Sequence, residues 1–349
     1  MVHLWVRGEQ RQNEQRVGLT PDGAAALIAQ GIRVTIEASP SRALPLKPYL
    51  DAGCATAPFG SWPEAPADAI VFGLKELPED GTPLRHRHIL FGHAYKGQPD
   101  GPALLARFKA GGGALYDLES LVDETGRRVA AFGYWAGYAG AAVSALAWIA
   151  QARGGVCGPV APWEGADSIA QRVVGELDAL DAPRPRALII GALGRVGSGA
   201  ADFCKAVGIT TTDWDMAETA HGGPFPEVLE HEIFFNCILA NPGCPAFVPR
   251  DAGSVPRVLR VIGDIACDPG SAYNPVPVYD RATTWAAPVL RVHDAPPLDV
   301  MAIDNLPSLL PAEASVDFAG QLLPHLLALD QIDTGVWGRA RAAFDRHSG

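Results

Sequence analysis

Three strand-like runs in the first third of the chain end on ionisable groups. Ala69-Ile70-Val71-Phe72-Gly73-Leu74 runs into Lys75-Glu76, Ile89-Leu90-Phe91-Gly92 into His93, and Ala114-Leu115-Tyr116 into Asp117 and then Glu119. Parallel neighbouring strands would bring these ends to one edge of a sheet, the edge at which open α/β sheets bind ligands. A lysine crowded into a partly dry site becomes available as a base, and a histidine titrates near neutrality, so the pattern suits proton transfer. Any one of these residues reads equally as a surface ion pair or a loop contact. Their recurrence at successive strand ends points to a joint role. Downstream, Gly126-Arg127-Arg128-Val129-Ala130-Ala131-Phe132 leads into an uncharged Gly/Ala segment. There the planar fork of Arg128 suits a carboxylate.

A second constellation suits a phosphate. Leu188-Ile189-Ile190-Gly191-Ala192-Leu193-Gly194-Arg195-Val196-Gly197-Ser198-Gly199 is a short apolar run that breaks into four glycines within nine residues. Ala200, Ala201, Phe203 and Ala206 then fall on one side of a helix. A strand, a tight turn and a helix start let the backbone approach a pyrophosphate, whose charge the helix N-terminus favours. The spacing is G-x-x-G-x-x-G rather than G-x-G-x-x-G, so a close-packed structural turn stays open. Ile209-Thr210-Thr211-Thr212-Asp213-Trp214-Asp215 reads as a second strand ending in carboxylates about 20 residues on, where a dinucleotide fold places its ribose-binding acid. Asp215 is the better placed of the two. An acid there accepts hydrogen bonds from the adenosine ribose and repels a 2′-phosphate, which favours NAD over NADP; a solvated loop aspartate is the alternative.

The elements that must carry these residues are legible around them. His3-Leu4-Trp5-Val6 is a strand, Arg7 to Arg16 a dense polar loop, and Thr20-Pro21-Asp22 an N-cap with proline at the first helical position. The helix runs to Gln30, stops at Gly31, and Val34-Thr35-Ile36-Glu37 follows as a strand, a βαβ opening. The polar loop therefore sits at the carboxyl end of a strand, where it reads equally as a ligand-facing or a solvated loop. Residues 154–185 are rich in Pro and Gly at both ends, with a helical middle from Ser168 to Leu180, and read as the entry to a nucleotide domain. Ile233 to Ile238 and Arg260 to Ile265 are further strands. Asp264 and Asp268 would lie near the nicotinamide end of a dinucleotide, with a helix N-cap as the alternative. Met301 to Pro311 is a strand-to-helix junction, Ala312 to Leu329 a helix, and the last residues form one more.

Composition bounds the rest. At 349 residues the chain can bury two cores, and 48% hydrophobic residues, 19% charged residues and a net charge of −11 describe an acidic globular protein. The scattered Lys and Arg residues offer no basic groove for nucleic acid. Six cysteines without CxxC pairs or zinc spacing read as buried thiols in a reducing cytoplasm, with no metal site. The N-terminus carries no signal-peptide run. Ala131 to Ala152 is uncharged and about as long as a bilayer span, but its Gly and Ala content and the lack of a companion span favour a buried helix between domains, with Gly133, Gly137, Ala139 and Gly140 allowing close packing.

These residues together resemble the NAD-dependent, lysine-forming saccharopine dehydrogenases, relatives of alanine dehydrogenase and of the nucleotide-binding part of transhydrogenase. The similarity covers nearly the whole chain, through Gly73 to Glu76, Leu115 to Glu119, Gly126 to Gly133, Leu188 to Ala200 and Ile303 to Ser315. It implies an α/β fold with two Rossmann-like domains, each with a parallel sheet, around a central cleft: a substrate domain of residues 1–135 and 320–349 and an NAD-binding domain of residues 136–319. It also implies a reaction in which saccharopine, NAD and water give lysine, 2-oxoglutarate and NADH through an imine. Lys75 matches the family's base, His93 its acid–base group, and Glu76 and Glu119 the carboxylates that tune them. Glu14, Arg16, Lys96, Gln98 and Arg128 match its substrate contacts. Gly191, Gly194, Arg195, Val196, Gly197, Asp215 and Asp304 match its cofactor contacts. Arg11 stands where the family carries lysine and Val196 where it carries cysteine, and the ending Arg346-His347-Ser348-Gly349 is not a peroxisomal signal. The expected partners are small molecules, not nucleic acid or membrane, and the oligomeric state stays open. Two rival functions are a dehydrogenase of another N-carboxyalkyl amino acid or amine, and a dinucleotide sensor without catalysis, which would need none of Lys75, His93 and Arg128.

Overall fold

The computed structural model describes residues 1–95 and 97–348, and the chain divides into two compact units, Met1–Ala131 with Pro311–Gly349 and Phe132–Leu310. The first unit begins with β1 (His3–Val6), α1 (Pro21–Ala29), β2 (Arg33–Glu37), α2 (Leu46–Asp51), β3 (Ala55–Ala57), β4 (Ile70–Phe72), β5 (Arg87–Leu90), α3 (Gly101–Gly111) and β6 (Ala114–Asp117). Its six strands form a parallel sheet in the order β3-β2-β1-β4-β5-β6. Strands sandwiched by helices are apolar on both faces, and β4 and β6 are buried at every residue. The sequence signals for α1 hold: Thr20 Oγ1 accepts the Gly23 N–H at 3.1 Å, and Gly31 follows in the left-handed region at φ 82°.

The second unit comprises α4 (Gly133–Ala152), α5 (Ala166–Asp178), β7 (Arg186–Ile190), α6 (Arg195–Ala206), β8 (Thr210–Trp214), α7 (Met216–Thr219), α8 (Pro226–Leu229), β9 (Ile233–Asn236), β10 (Val261–Asp264), β11 (Leu290–Asp294) and β12 (Pro297–Met301). Its sheet runs β11-β12-β10-β9-β7-β8. The expectation of wholly parallel sheets needs one correction, because β11 pairs with β12 antiparallel. Only Ala295 and Pro296 separate the two strands, and so short a connection can only return the chain beside itself.

The uncharged segment is α4, and among the described residues no helix is long and apolar enough to cross a membrane. Its packing partners in the second unit include α6, β10 and the turn at Leu306–Leu309. The small residues serve that contact: a Cβ on Gly137 would stand 1.8 Å from Val196 O, and one on Gly199 1.9 Å from Tyr134 O. After this unit the chain returns to the first as α9 (Pro311–Leu326), packed on α1, and α10 (Gly335–Ser348), packed on α3 and β6. The cysteines are free thiols, but only Cys54, Cys204 and Cys237 are buried; Cys157, Cys244 and Cys267 are half-buried, packed on the edges of the cores.

Candidate active site

Because β1, β4, β5 and β6 are parallel, the loops leaving their carboxyl ends share one rim of the first unit. Lys75 and Glu76 follow β4, His93 follows β5, Asp117 ends β6 with Glu119 two residues on, and the polar loop 7–16 follows β1. His93 adopts a left-handed backbone at φ 48°, which a non-glycine residue adopts only where its surroundings fix it. Its ring lies against Phe91, centroids 6.2 Å apart at 19°, and its Nδ1 is 3.6 Å from Glu119 Oε1. The loops that bear this pair are joined by one buried carboxylate. Asp117 Oδ1 accepts the Gly92 N–H at 3.2 Å and the Glu119 N–H at 2.9 Å. Burial pushes the Asp117 carboxyl above the usual range, although those two amides and the charge of His93 pull it back.

The polar loop supplies a second set of pairs. Arg16 grips Glu14 with both prongs, Nε to Oε1 at 2.9 Å and Nη2 to Oε2 at 2.7 Å, and both side chains are buried. Burial pushes the Glu14 carboxyl up, but the bonds and charge of Arg16, joined by the charge of Lys75, leave it below the usual range. Arg11 Nε is 2.7 Å from Glu76 Oε1, so the position that departs from the family's lysine reaches one of the candidate carboxylates. Arg11, Glu76, His93 and Gln98 line one open hollow of about 570 Å³ whose floor includes Leu90 and Leu104. Arg128 follows on the loop after β6. It is exposed, in a bridge with Val122, and makes no ion pair among the described residues. Lys96 lies outside the described residues.

Sequence reading passed over the side chains that hold this rim from beneath. Arg7 and Glu9 were visible only as two charges in a polar loop, yet both are buried and bonded to the loop that leaves β4.

In the second unit the glycine loop joins β7 to the twelve-residue α6. Gly191 is left-handed at φ 91°, and a Cβ there would stand 2.5 Å from Ile238 Cγ2. Gly194 is the N-cap of α6, and a Cβ on Gly197 would stand 2.2 Å from Gly191 O. The helix ladder begins at the Ser198 N–H, bonded to Gly194 O at 2.9 Å, so the preceding turn, containing Arg195, Val196 and Gly197, is the helix end that suits an anion. Asp215 ends the next strand's run, its Oδ2 accepting the Leu193 N–H of the glycine loop at 3.1 Å and its Oδ1 the Met216 N–H at 2.9 Å. Leu193 and Met216 beside it are 86% and 81% exposed, apolar surface of the kind a flat ring covers. Asp304 is exposed, on the loop after β12, and its charge acts on Cys267. At the ends of β9 and β10, Asp264 is buried and accepts from Asn236 Nδ2 at 2.9 Å and Tyr279 OH at 2.7 Å. Among the described residues no group of His, Cys, Asp and Glu side chains is arranged to hold a metal.

Comparison with known proteins agrees with this architecture. Residues 5–139 match the model of the alanine dehydrogenase/PNT N-terminal domain. The saccharopine dehydrogenase (NAD+, L-lysine-forming) of Schizosaccharomyces pombe is 44% identical over 362 residues, covering 98% of this chain and 97% of the relative. The solved structure of an L-alanine dehydrogenase superposes with a TM-score of 0.69 at 17% identity, covering 99% of this chain and 94% of the other. A transhydrogenase from Sinorhizobium meliloti does so with a TM-score of 0.66 at 16% identity, covering 97% of each. The two structures share the fold.

Proposed function

The chain belongs to the family of NAD+-dependent, L-lysine-forming saccharopine dehydrogenases, and from that membership we propose that it catalyses the reversible oxidation and cleavage of saccharopine, with NAD+ and water, to L-lysine and 2-oxoglutarate. The observation that carries the reading is the arrangement of one rim, where Lys75 and the His93–Glu119 pair leave adjacent parallel strands.

The second unit fits a dinucleotide. The turn from Gly191 to Gly197, with Arg195 and Val196 at the start of α6, would hold the pyrophosphate, Asp215 the adenosine ribose, and Asp304 would stand by the nicotinamide. Bound NAD+ supplies the hydride acceptor for the carbon that carries the secondary amine. Lys75 Nζ takes the proton from that amine as the imine forms. His93 takes a proton from the water that adds to the imine carbon while Lys75 returns its proton to the nitrogen; as the C–N bond of the carbinolamine breaks, His93 gives its proton to the departing lysine nitrogen and Lys75 takes the hydroxyl proton, leaving the carbonyl of 2-oxoglutarate. Glu119, beside Nδ1, orients the ring, while Arg11 offsets the charge of Glu76. Saccharopine carries three carboxylates, for which Arg16 and Arg128 have suitable forks, with Glu14, Lys96 and Gln98 completing the contacts. Free thiols support a reducing, cytoplasmic setting, and the small-molecule partners follow from the reaction of the relatives.

The test is NADH oxidation with 2-oxoglutarate and, in turn, lysine, ornithine, agmatine and putrescine. Turnover with lysine well above the others is expected. Turnover with another amine alone would make the enzyme a dehydrogenase of a different N-carboxyalkyl amine. NADH binding without turnover of any amine would make the protein a sensor.

A further inference from the structure

Two buried charges at the rim have no part in the reaction as written. Arg7 and Glu9 leave the end of β1 with side chains 1% and 7% exposed, and they face the chain that leaves β4. Glu9 receives two consecutive amides there, Oε1 accepting the Leu74 N–H at 2.7 Å and Oε2 the Lys75 N–H at 2.9 Å. Arg7 takes the carbonyls of the next two peptides: Nη2 donates to the Lys75 carbonyl and, at 3.5 Å, to that of Glu76. The pair closes on itself, with Arg7 Nη1 3.5 Å from Glu9 Oε2, and the Arg7 amide donates to Phe72 O at 2.9 Å. On the far side, Leu74 O accepts the Phe91 N–H at 3.0 Å. Both main-chain groups of Leu74 and of Lys75 are therefore bonded, in a segment that has left its strand. Gly73 makes the room, because a Cβ there would stand 2.3 Å from Arg7 Nε and 2.5 Å from its Cζ.

We infer that Arg7 and Glu9 are positioning residues that clamp the main chain of Lys75 and so aim its amine, an inference that rests on the base assigned above. Loops at strand ends ordinarily keep their amides in water and move with it. A lysine has four side-chain torsions, so its reach is accurate only when its Cα is fixed, and a displacement of about 1 Å in a reacting group costs about a hundredfold in rate. A carboxylate does this job better than a neutral side chain because charged acceptors make stronger bonds to N–H groups, and it can be buried only with a cation beside it. Arg7 is that cation, and it adds two bonds of its own to the same segment. Among the described residues the side-chain bonds of the pair go to Gly8, Leu74, Lys75 and Glu76 and to no helix of the unit.

The test is a four-enzyme cycle: wild type, Glu9→Gln, Lys75→Met and the double variant, assayed by NADH oxidation with lysine and 2-oxoglutarate. Gln is isosteric but sets an NH2 against one amide, so one of the two bonds is lost. Glu9→Gln is expected to lower kcat about ten- to hundredfold while leaving both KM values within about threefold. In the Lys75→Met background the same change should lower the residual rate less than about twofold, since a residue that acts through Lys75 has nothing left to aim. Arg7→Lys, which keeps the charge and loses the fork, should lower kcat about three- to tenfold and serves if Glu9→Gln does not fold. Equal losses in both backgrounds, or an unchanged kcat in the single variants, would overturn the inference and leave the base in place. Full activity of Lys75→Met would overturn the base and the inference with it.

Discussion

The two units reverse their strand order at comparable places and fill the resulting crevices in opposite ways. In the first the reversal lies between β1 and β4, in the second between β7 and β9, and the crevice beyond a reversal is where an open sheet binds its ligand. In the first unit the loop entering that crevice brings Arg7 and Glu9, which occupy it with hydrogen bonds to the chain's own backbone. The acid at the end of its second strand, Glu37, is wholly buried and accepts from Trp5 Nε1 at 3.0 Å, Gly8 N at 2.9 Å and Gly60 N at 2.9 Å. In the second unit the corresponding loop is glycine-rich and brings no charge inward, and the acid after the second strand, Asp215, stays half-exposed beside Leu193 and Met216. The same topology therefore makes a rigid support for the loop that bears Lys75 in one case and an open, glycine-lined turn in the other. What separates them is which residues follow the first strand: buried ions in one, small residues in the other.

The largest effect should come from removing the reacting groups on the first unit alone. Lys75→Met with His93→Gln is expected to lower turnover at least about a thousandfold, since each proton-transfer group contributes about 10²- to 10⁴-fold. NADH affinity, followed by fluorescence titration, should stay within about twofold. Full activity in that variant would move the chemistry elsewhere, and a parallel loss of NADH binding would erase the division of labour.

Gly197→Ala is the converse change. Its new methyl meets Gly191 O and Ala192 Cα, at 2.2 and 2.5 Å, both backbone atoms that yield only if the loop moves. Strain of about 1–3 kcal/mol should weaken NADH about ten- to hundredfold, while kcat at saturating NADH stays within about threefold. A fall in kcat without a rise in the NADH KM would contradict the cradle role. Asp215→Asn should act in the same direction and more weakly, lowering the preference for NADH over NADPH about tenfold in kcat/KM as the repulsion of a 2′-phosphate is lost. An unchanged ratio would return Asp215 to the role the geometry already gives it, tying the Leu193 amide to the start of α7.

What the sequence disclosed depended on whether the cause was local. The glycine loop, the Thr20 cap and the apolar runs of β4 to β6 are each specified within a few residues, so their chemistry is written where it acts. The elements that escaped notice are short or flanked by breakers: α2 has six residues and starts after Pro45, β3 has three, and α3 opens on Gly101 and Pro102 and is capped by Gly112. The clamp was illegible for another reason. Glu9 meets the Lys75 amide across sixty-six positions, and a glutamate in a polar loop is written the same way whether it faces water or a distant backbone. The uncharged segment was legible only in part for a related reason: burial against α6 and burial in lipid both remove charge from a helix, but its Gly and Ala content favoured a buried helix, and Gly137 lies close against the backbone of α6.

The smallest effect on turnover, and the finest probe of the difference between the units, is acid sensitivity. His88 on β5 is fully buried, with both ring nitrogens lacking partners among the described residues, between Trp62 and Phe108 at 5.2 and 5.5 Å. Burial, then the charges of Arg7, His86 and Arg107, hold it well below the ordinary histidine value, so it is neutral in the fold. Below about pH 6.5 the unfolded chain binds a proton there that the folded chain refuses, and stability falls as pH drops. In the second unit burial pushes the Asp264 carboxyl up, so the fold takes up a proton before the unfolded chain does, and that group opposes the loss on acidification. His88→Phe, which fits the aromatic surroundings without a titrating group, should leave activity at pH 7 within about twofold. It should make the fall in stability from pH 6.5 to pH 5 shallower, read from denaturant midpoints. Hydrogen exchange at pH 5 should show β5 of the wild type losing protection before β10, and equal loss in both strands would mean that acid does not tell the two units apart.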